Sequence, residues 1–281
     1  MPQRARRQKS NTGLYHVFVR GINKERIFEQ EREKQYFKKI LRKYLKKYEQ
    51  YDVEVHAYCI MSNHAHLIIK SNEREKLSYF MSNVLAEYAQ YYNYKHNRNG
   101  HVFQNRFGSE CIENEKYYWN CIKYIHMNPV KALLVPTALD YKYSSLAEYK
   151  RGTASIVHPD AYKIYKNRFA SFENYLQFHN ITNEQVFLGM HEEVYAQKIE
   201  VALKVLWEMQ EQEKLENVIR IFEEPQFRKM YKERYGHKLQ LSKTEIDKVY
   251  TDIERKFIIS TLTKTSAFWD TPKVNSGHSK K

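Results

Sequence analysis

The sequence predicts an α+β protein in which a ferredoxin-like split βαβ sandwich, an antiparallel sheet with helices on one face, precedes an all-helical C-terminal region. Two observations predict this. Short segments of alternating apolar residues stand between long amphipathic helices in the order β-α-β-β-α-β-α, and beyond residue 150 only helical periodicity remains. The low glycine content, 8 of 281 residues, also favours helices over a loop-rich β protein.

The first strand illustrates the period-two pattern on which the sheet prediction depends. Residues 15–20 read YHVFVR, which puts Tyr15, Val17 and Val19 on one face and the intervening residues on the other. Each later element is assigned from its own periodicity and from turn signals such as Ser62-Asn63. The first half contains a strand at 15–20, a helix at 25–48, a hairpin of strands at 53–61 and 65–70, a helix at 77–94, a strand at 107–112 and a helix at 115–131 that ends or kinks near Pro129.

The second half of the chain shows helical patterns and no clear strand. Pro225 suits the first turn of a helix better than its interior, and Ser242 with Glu245 fits a capping box. The predicted helices are 171–179, 183–189, 192–211, 215–235 with a break at Pro225, and 242–261. We therefore divide the chain into a basic arm (1–14), a mixed domain (15–150), a helical region of unknown role (151–270) and a disordered tail (271–281).

Charge and cysteine content narrow the class of protein. The formal net charge is +14, and residues 1–150 hold 26 Lys and Arg against 15 Asp and Glu, so the excess is concentrated in the first half. This favours a polyanionic partner, above all nucleic acid. The three cysteines form no C-x-x-C pair, which argues against a disulfide scaffold or zinc ribbon. No stretch fits a signal peptide or a membrane span, so we expect a cytoplasmic, nucleoid-associated protein without membrane contact.

The most informative short motif is His64-Ala65-His66 in the third predicted strand. Side chains at i and i+2 of a strand point to the same face, so the two imidazoles can converge on one divalent metal ion. Taken alone, the motif also fits two exposed or hydrogen-bonded histidines. His16 and His56 could line the same sheet, but each is interpreted as ordinary packing.

A second motif lies on the helix at 115–131. Tyr124 and Asn128 are four residues apart and therefore share a helix face, where a phenol and an amide oxygen point to one spot. The amide oxygen can serve as a metal ligand, although an amphipathic helix with a core tyrosine would look the same. Tyr117 and Tyr118 remain rival nucleophiles. Tyr124 is preferred because only it has Asn128 one turn later.

Together these motifs resemble the single-tyrosine HUH transposases of bacterial insertion sequences, the IS200-like family. The opening YHVFVRGINKERIF, the segment CIMSNHAHLII and YIHMNPVKALLV, followed by Tyr141 to Ser145, are similar to the REP-associated tyrosine transposase branch. The resemblance covers about residues 10–150, which it identifies as the catalytic domain, and does not extend to residues 151–281. It rests on several separate motifs in the expected order.

The resemblance implies a role for each matching residue. His64 and His66 correspond to the metal-binding pair, Asn128 to the third metal ligand and Tyr124 to the nucleophile. The implied cofactor is Mg²⁺ or Mn²⁺, which would polarise the scissile phosphate, because a phenol with an ordinary pKa of about 10 is a poor nucleophile. The implied reaction passes through a 5′-phosphotyrosine on single-stranded or hairpin DNA from repeat elements. The resemblance leaves open whether the protein acts as a monomer or a homodimer.

Contacts with DNA are assigned to basic residues near the expected active edge of the sheet and to one histidine on the far side of the helix from Tyr124. These residues are Arg20, Lys70, Arg106, Lys131 and His126. Two alternative functions remain. One is a DNA- or RNA-binding regulator on the same fold that no longer cleaves, and the other is a rolling-circle initiator or relaxase.

Overall fold

The computed structural model describes residues 8–47, 49, 52–153, 155–180 and 191–263. The chain divides into two compact units, Met1–Met190 and His191–Lys281. Residues 1–7 of the predicted basic arm, the predicted helix at 183–189 and the predicted tail at 271–281 lie outside the described residues.

The first unit is built on a four-stranded antiparallel sheet. Its strands are β1 (Leu14–Arg20), β2 (Glu54–Ile60), β3 (His64–Lys70) and β4 (Gly108–Cys111), and they lie side by side in the order β2-β3-β1-β4. The connecting helices are α1 (Glu31–Lys47) and α2 (Arg74–Lys95), and α3 (Glu115–Lys131) follows β4. This order is that of the ferredoxin-like split βαβ unit, so the predicted fold class is confirmed.

The strand register separates the side chains into two faces. Val17 pairs with Leu67, and Leu67 also pairs with Tyr58, so these residues share the face that packs against α1 and α2. Lys38 of α1 lies over the Tyr58 ring, with Nζ 5.3 Å from its centroid. The predicted alternation of the first strand is thus confirmed, and it leaves His16, Phe18 and Arg20 on the opposite face.

The opposite face of the sheet is covered by the seventh element, α3. The hydroxyl of Tyr118 is hydrogen-bonded to Nδ1 of His56 on β2 (2.9 Å), and the Tyr124 ring packs edge-on against His66 of β3. Ten of the seventeen residues of α3 are buried, because the helix lies between the sheet and the segment that follows it. The expectation that helices cover one face alone therefore does not hold, because α3 encloses the polar face of the sheet as well.

The first helix begins six residues later than its apolar pattern predicts. Ile27 and Phe28 have the spacing of a helix but lie in a turn, where the Phe28 amide donates to the Ser62 carbonyl (2.7 Å) and Tyr88 of α2 donates to the Ile27 carbonyl (2.5 Å). Both side chains are fully buried. Tertiary packing therefore overrides the local periodicity at this end of the helix.

The first unit also extends beyond the predicted boundary at residue 150. Three further helices belong to it: α4 (Leu146–Arg151), α5 (Pro159–Arg168) and α6 (Phe172–Asn180). Of these, α4 and α5 were not predicted. The buried Glu148 carboxylate holds this segment, because Oε1 accepts from the Tyr58 hydroxyl (2.6 Å) and Oε2 accepts from three consecutive backbone amides, those of residues 155–157. Val157 then pairs with Val55 of β2.

The second unit is helical throughout its described part and has its own apolar core. Its helices are α7 (His191–Gln212), α8 (Ile219–Glu223), α9 (Pro225–Leu239) and α10 (Lys243–Thr263). Pro225 begins α9, and Ser242 with Glu245 forms the capping box before α10, so both local predictions are confirmed. No helix among the described residues of the chain is long and apolar enough to cross a lipid bilayer.

One glycine is required by close packing on the enclosed face of the sheet. Gly108 of β4 pairs directly with Phe18 of β1, and a Cβ at this position would lie 2.2 Å from the Phe18 ring. The ring of Phe18 in turn lies 6.2 Å from that of His66 and 5.7 Å from that of His16. Gly108 thus allows an aromatic ring to lie across β4 beside the two histidines.

We expect Gly108→Ala to destabilise the first unit, because the added methyl group displaces the Phe18 ring. Overpacking of this kind costs about 1–3 kcal/mol in the free energy of unfolding, measurable by chemical denaturation. The matched control is the same substitution in a Phe18→Ala background, where the obstructing ring is absent and the cost of Gly108→Ala should be much smaller. An equal cost in both backgrounds would exclude a clash with this ring as the cause.

Candidate functional site

Two histidines lie side by side on the enclosed face of β3. His64 is the first residue of the strand and His66 is two residues later, so both side chains point towards α3. The two ring centroids are 5.1 Å apart with planes at 81°, and the side chains are almost completely buried. The strand period therefore brings the two imidazoles together as the sequence predicts.

Each imidazole is held through its Nδ1 atom. His64 Nδ1 lies 2.6 Å from Oδ1 of Asn63, and His66 Nδ1 lies 3.0 Å from Nε2 of His16 on β1. Because an amide oxygen only accepts, His64 carries a proton on Nδ1, and in the neutral tautomer with this proton the lone pair is on Nε2. A neutral imidazole with a lone pair on Nε2 is the form that binds a metal ion.

The helix α3 brings a phenol to this histidine pair. Asn114 caps the helix by accepting from the Tyr117 amide, and two turns later Tyr124 faces the sheet. The centroid of the Tyr124 ring lies 5.4 Å from that of His66 and 5.8 Å from that of His16, and the rings meet edge-on in both cases. The structure therefore brings together the imidazoles and the phenol that the sequence singled out.

Asn128 follows Tyr124 one turn later on the same face of α3. Its side chain is buried, and its Nδ2 atom has no hydrogen-bond partner within the described residues. Two imidazole nitrogens and one amide oxygen form a donor set that suits a divalent cation, and the buried amide is not committed through its nitrogen to another group. His64, His66 and Asn128 are therefore the residues that could hold a metal ion here.

The rival tyrosines have different surroundings. The Tyr118 hydroxyl lies 2.9 Å from Nδ1 of His56, on a different strand from the histidine pair, and burial raises the pKa of this phenol above its ordinary value. Burial, together with a hydrogen bond to Glu110, also raises the pKa of Tyr117. The Tyr124 ring, by comparison, packs edge-on against His66.

The residues proposed from sequence as DNA contacts do not share one location. Arg20 ends β1 directly opposite His64 in the register, and Arg106 is exposed just before β4. Lys131 is exposed at the end of α3. The expectation that Lys70 lies at the same edge is wrong, because it is at the other end of β3, where its Nζ donates to Glu54 (3.1 Å).

The expectation that His126 contacts DNA or is exposed is also wrong. This side chain is fully buried, with Nδ1 3.0 Å from Nε2 of His179 and Nε2 2.7 Å from the Ser145 hydroxyl. Burial, with the neighbouring His179, lowers the pKa of His126 well below its ordinary value, and burial lowers the pKa of His179 to about 4. Both rings are therefore neutral and link α3 to α6.

A second group of potential metal ligands lies at the far end of β2. Glu54, His158 and Asp160 bring one ligand atom each within 4.8 Å of one another. Both carboxylates are already paired with lysines, Glu54 with Lys70 and Asp160 with Lys163 (2.6 Å). Burial opposes ionisation of Glu54, but hydrogen bonds from His56 and Lys70 outweigh it and lower the pKa of this carboxyl to about 2. The charges in this group are thus compensated without a cation.

Comparisons with known proteins show that part of the chain is similar to transposases. Residues 9–128 match the family model described as transposase, IS200-like. A candidate REP-associated tyrosine transposase of Haemophilus influenzae is 28% identical over 145 residues, covering 47% of this chain and 81% of that protein. A solved structure of a REP-associated tyrosine transposase bound to a REP hairpin is similar at 22% identity with a TM-score of 0.42, covering 56% of this chain and 90% of that one.

The neutral His126–His179 pair predicts loss of stability in acid. Because folding lowers the pKa of both histidines, the unfolded chain binds more protons below pH 6.5, and stability present above that pH falls as the pH drops towards 4. Each proton that the unfolded chain binds in excess of the folded one lowers the free energy of unfolding by about 1.4 kcal/mol for each pH unit of acidification. We expect His179→Gln to reduce the slope of unfolding free energy between pH 6.5 and 4.

The control for this measurement is His101→Gln, which changes an exposed histidine. Its unfolding free energy should follow the pH dependence of the unsubstituted protein. If His179→Gln also leaves the slope unchanged, the acid sensitivity does not come from this pair.

Proposed function

We propose that this chain, whose residues 9–128 match the IS200-like transposase family model, is a divalent-metal-dependent single-strand DNA endonuclease and strand transferase with Tyr124 as its nucleophile. The observation that carries the proposal is the position of the Tyr124 ring, whose centroid lies 5.4 Å from that of His66. The His66 ring in turn lies beside that of His64, with centroids 5.1 Å apart. A nucleophile and a pair of metal-binding imidazoles are the two parts that this chemistry requires.

In the proposed reaction, Tyr124 attacks the phosphorus of a backbone phosphodiester. The phenolic oxygen forms a new ester bond to phosphorus, the phenolic proton is lost, and the bond from phosphorus to the O3′ atom breaks. The products are a 5′-phosphotyrosine and a free 3′-OH strand end. The covalent link conserves the phosphodiester bond energy, so attack by another 3′-OH rejoins strands and releases Tyr124.

His64, His66 and Asn128 would hold the cation beside Tyr124. A bound Mg²⁺ or Mn²⁺ would stabilise the negative charge that develops on the phosphate. Each imidazole would bind the cation through an unprotonated ring nitrogen, since a protonated ring nitrogen cannot donate a lone pair. The side chains of Tyr124 and Asn128 approach from the same helix, so α3 would position the nucleophile and one ligand together.

The proposed partner is single-stranded or hairpin DNA of repeat elements. Support comes from the charge of the first half of the chain and from α1, which holds eight Lys and Arg against two Glu. A groove beside α1 combines these cations with the stacked rings of Tyr36 and Tyr91 (3.9 Å), a combination that suits unpaired DNA. It is lined by Arg32, Lys38, Lys39, Arg42 and Lys142, among others.

The covalent intermediate provides the direct test of the nucleophile. With hairpin-bearing single-stranded DNA labelled at its 3′ end and Mg²⁺ or Mn²⁺, we expect a protein–DNA adduct that resists denaturing electrophoresis. Tyr124→Phe should abolish the adduct and reduce cleavage on the order of 10³-fold or more, because the attacking oxygen is removed. Tyr117→Phe is the matched control and should retain the adduct.

Two outcomes would contradict the assignment of Tyr124. An adduct that persists in Tyr124→Phe and disappears in Tyr117→Phe would transfer the role to the other tyrosine. DNA binding without any adduct in the unsubstituted protein would favour a cleavage-inactive regulator of the same fold.

Removal of the cation should stop cleavage but leave the fold intact. We expect no adduct in EDTA, and recovery on addition of Mn²⁺ or Mg²⁺. His64→Ala, His66→Ala and Asn128→Ala should each raise the Mn²⁺ concentration needed for half-maximal cleavage, on the order of 10- to 100-fold or more, because each loses one donor. The control is the exposed His101→Ala, which should behave as the unsubstituted protein. Full activity in EDTA would contradict a metal-dependent mechanism.

A further inference from the structure

The imidazole of His66 is bonded to a second buried imidazole that the proposed reaction does not use. His16 Nε2 lies 3.0 Å from His66 Nδ1, both side chains are fully buried, and the two ring planes are within 23° of parallel with centroids 5.1 Å apart. A hydrogen bond between two neutral imidazoles contains one proton, so one ring must donate and the other must accept. Which ring donates decides whether His66 has a proton or a lone pair on Nε2.

The surroundings of His16 favour one of the two arrangements. Glu110 is the register partner of His16 across β1 and β4, and its Oε2 lies 3.8 Å from His16 Nδ1. A nearby carboxylate favours a proton on the nitrogen that faces it. With the proton on Nδ1, His16 has a lone pair on Nε2 and accepts from His66 Nδ1. His66 then has its own lone pair on Nε2.

We propose that His16, supported by Glu110, is a positioning residue that fixes His66 as the Nδ1–H tautomer and so keeps its Nε2 lone pair available to the cation. The inference rests on the proposed function, in which His66 is a metal ligand. It gives His66 the same tautomer that Asn63 imposes on His64. The two ligands are thus each oriented from outside the metal site, His64 by its neighbour in sequence and His66 through β1 and β4.

His16 also restricts the position of the nucleophile. The Tyr124 ring is edge-on to His16 at 5.8 Å and 82°, and edge-on to His66 at 5.4 Å and 76°. The Tyr124 ring therefore packs edge-on against both members of the hydrogen-bonded histidine pair. Loss of the His16 ring would remove the hydrogen bond that fixes the tautomer of His66. It would also remove one of the two rings against which Tyr124 packs.

The first experiment needs no substitution. In the metal-free full-length protein labelled with ¹⁵N at histidine, two-bond ¹H–¹⁵N correlation spectra distinguish a protonated Nδ1 from a protonated Nε2. We expect His66 as the Nδ1–H tautomer and His16 also protonated on Nδ1. If His66 is instead protonated on Nε2, the proposal is overturned.

The second experiment measures Mn²⁺ binding by titration calorimetry in full-length variants, without DNA. His16→Leu removes the acceptor, and we expect the Kd for Mn²⁺ to rise on the order of 10- to 100-fold. His16→Gln keeps an acceptor oxygen on its side chain and should restore most of the affinity. The matched control is His56→Gln, a buried histidine of β2 that contacts Glu54 and Tyr118 instead, and it should leave the Kd unchanged.

The outcomes separate this inference from the proposed function. If the protein does not bind Mn²⁺, or if His66→Ala binds it as tightly as the unsubstituted protein, both proposals fail. If binding requires His66 but His16→Leu has an unchanged Kd, only the positioning role of His16 fails. Should His16→Leu not fold, the tautomer of His66 in the unsubstituted protein decides the question.

Discussion

The antiparallel register of β1 against β3 is the constraint on which the rest of the site depends. It places Phe18 opposite His66 and Arg20 opposite His64, and it brings His16 within hydrogen-bond distance of His66. Because side chains alternate along a strand, a slip of one residue would move His16 and Phe18 to the face that packs against α1 and α2. The buried apolar residues on that face resist such a slip, so the same hydrophobic packing that folds the sandwich also sets the site.

The helix α3 completes the site by covering the polar face of the sheet. It is buried on both sides: Tyr124 faces the histidines of the sheet, while His126 faces away and bonds His179 of α6. A helix held on two sides can place its side chains more reproducibly than a surface helix, because rotation about its axis is opposed by both contacts. The segment after residue 150 therefore contributes to the geometry of the site without supplying a residue to it. Its attachment depends on Glu148, whose carboxylate accepts from Tyr58 and from three backbone amides.

The local patterns of the sequence were sufficient for most of the fold and for the central residues of the site. Period-two and helical repeats identified the four strands and helices α1 to α3, and the bounds of α3 agree residue for residue. The spacing of His64 and His66 on a strand, and of Tyr124 and Asn128 on a helix, correctly predicted which pairs share a face. These predictions succeed because each depends only on the geometry of one element. The short helices α4 and α5 were missed because they depend on tertiary contacts rather than on their own periodicity. Tyr149 of α4 donates to the His56 carbonyl of β2, and Tyr162 and Tyr165 of α5 pack against the Tyr149 ring.

What the sequence by itself determined is the type of each element and the face on which its side chains lie. Only the tertiary structure decided which faces meet. His16 is hydrogen-bonded to His66, and the Glu110 carboxylate lies near the other nitrogen of His16. Lys70 pairs with Glu54 at the opposite end of the sheet, and His126 is buried. These contacts join residues on different elements, often far apart in sequence. Their formation depends on strand register and helix packing, which arise from the burial of many apolar side chains at once and leave no signature at any single position.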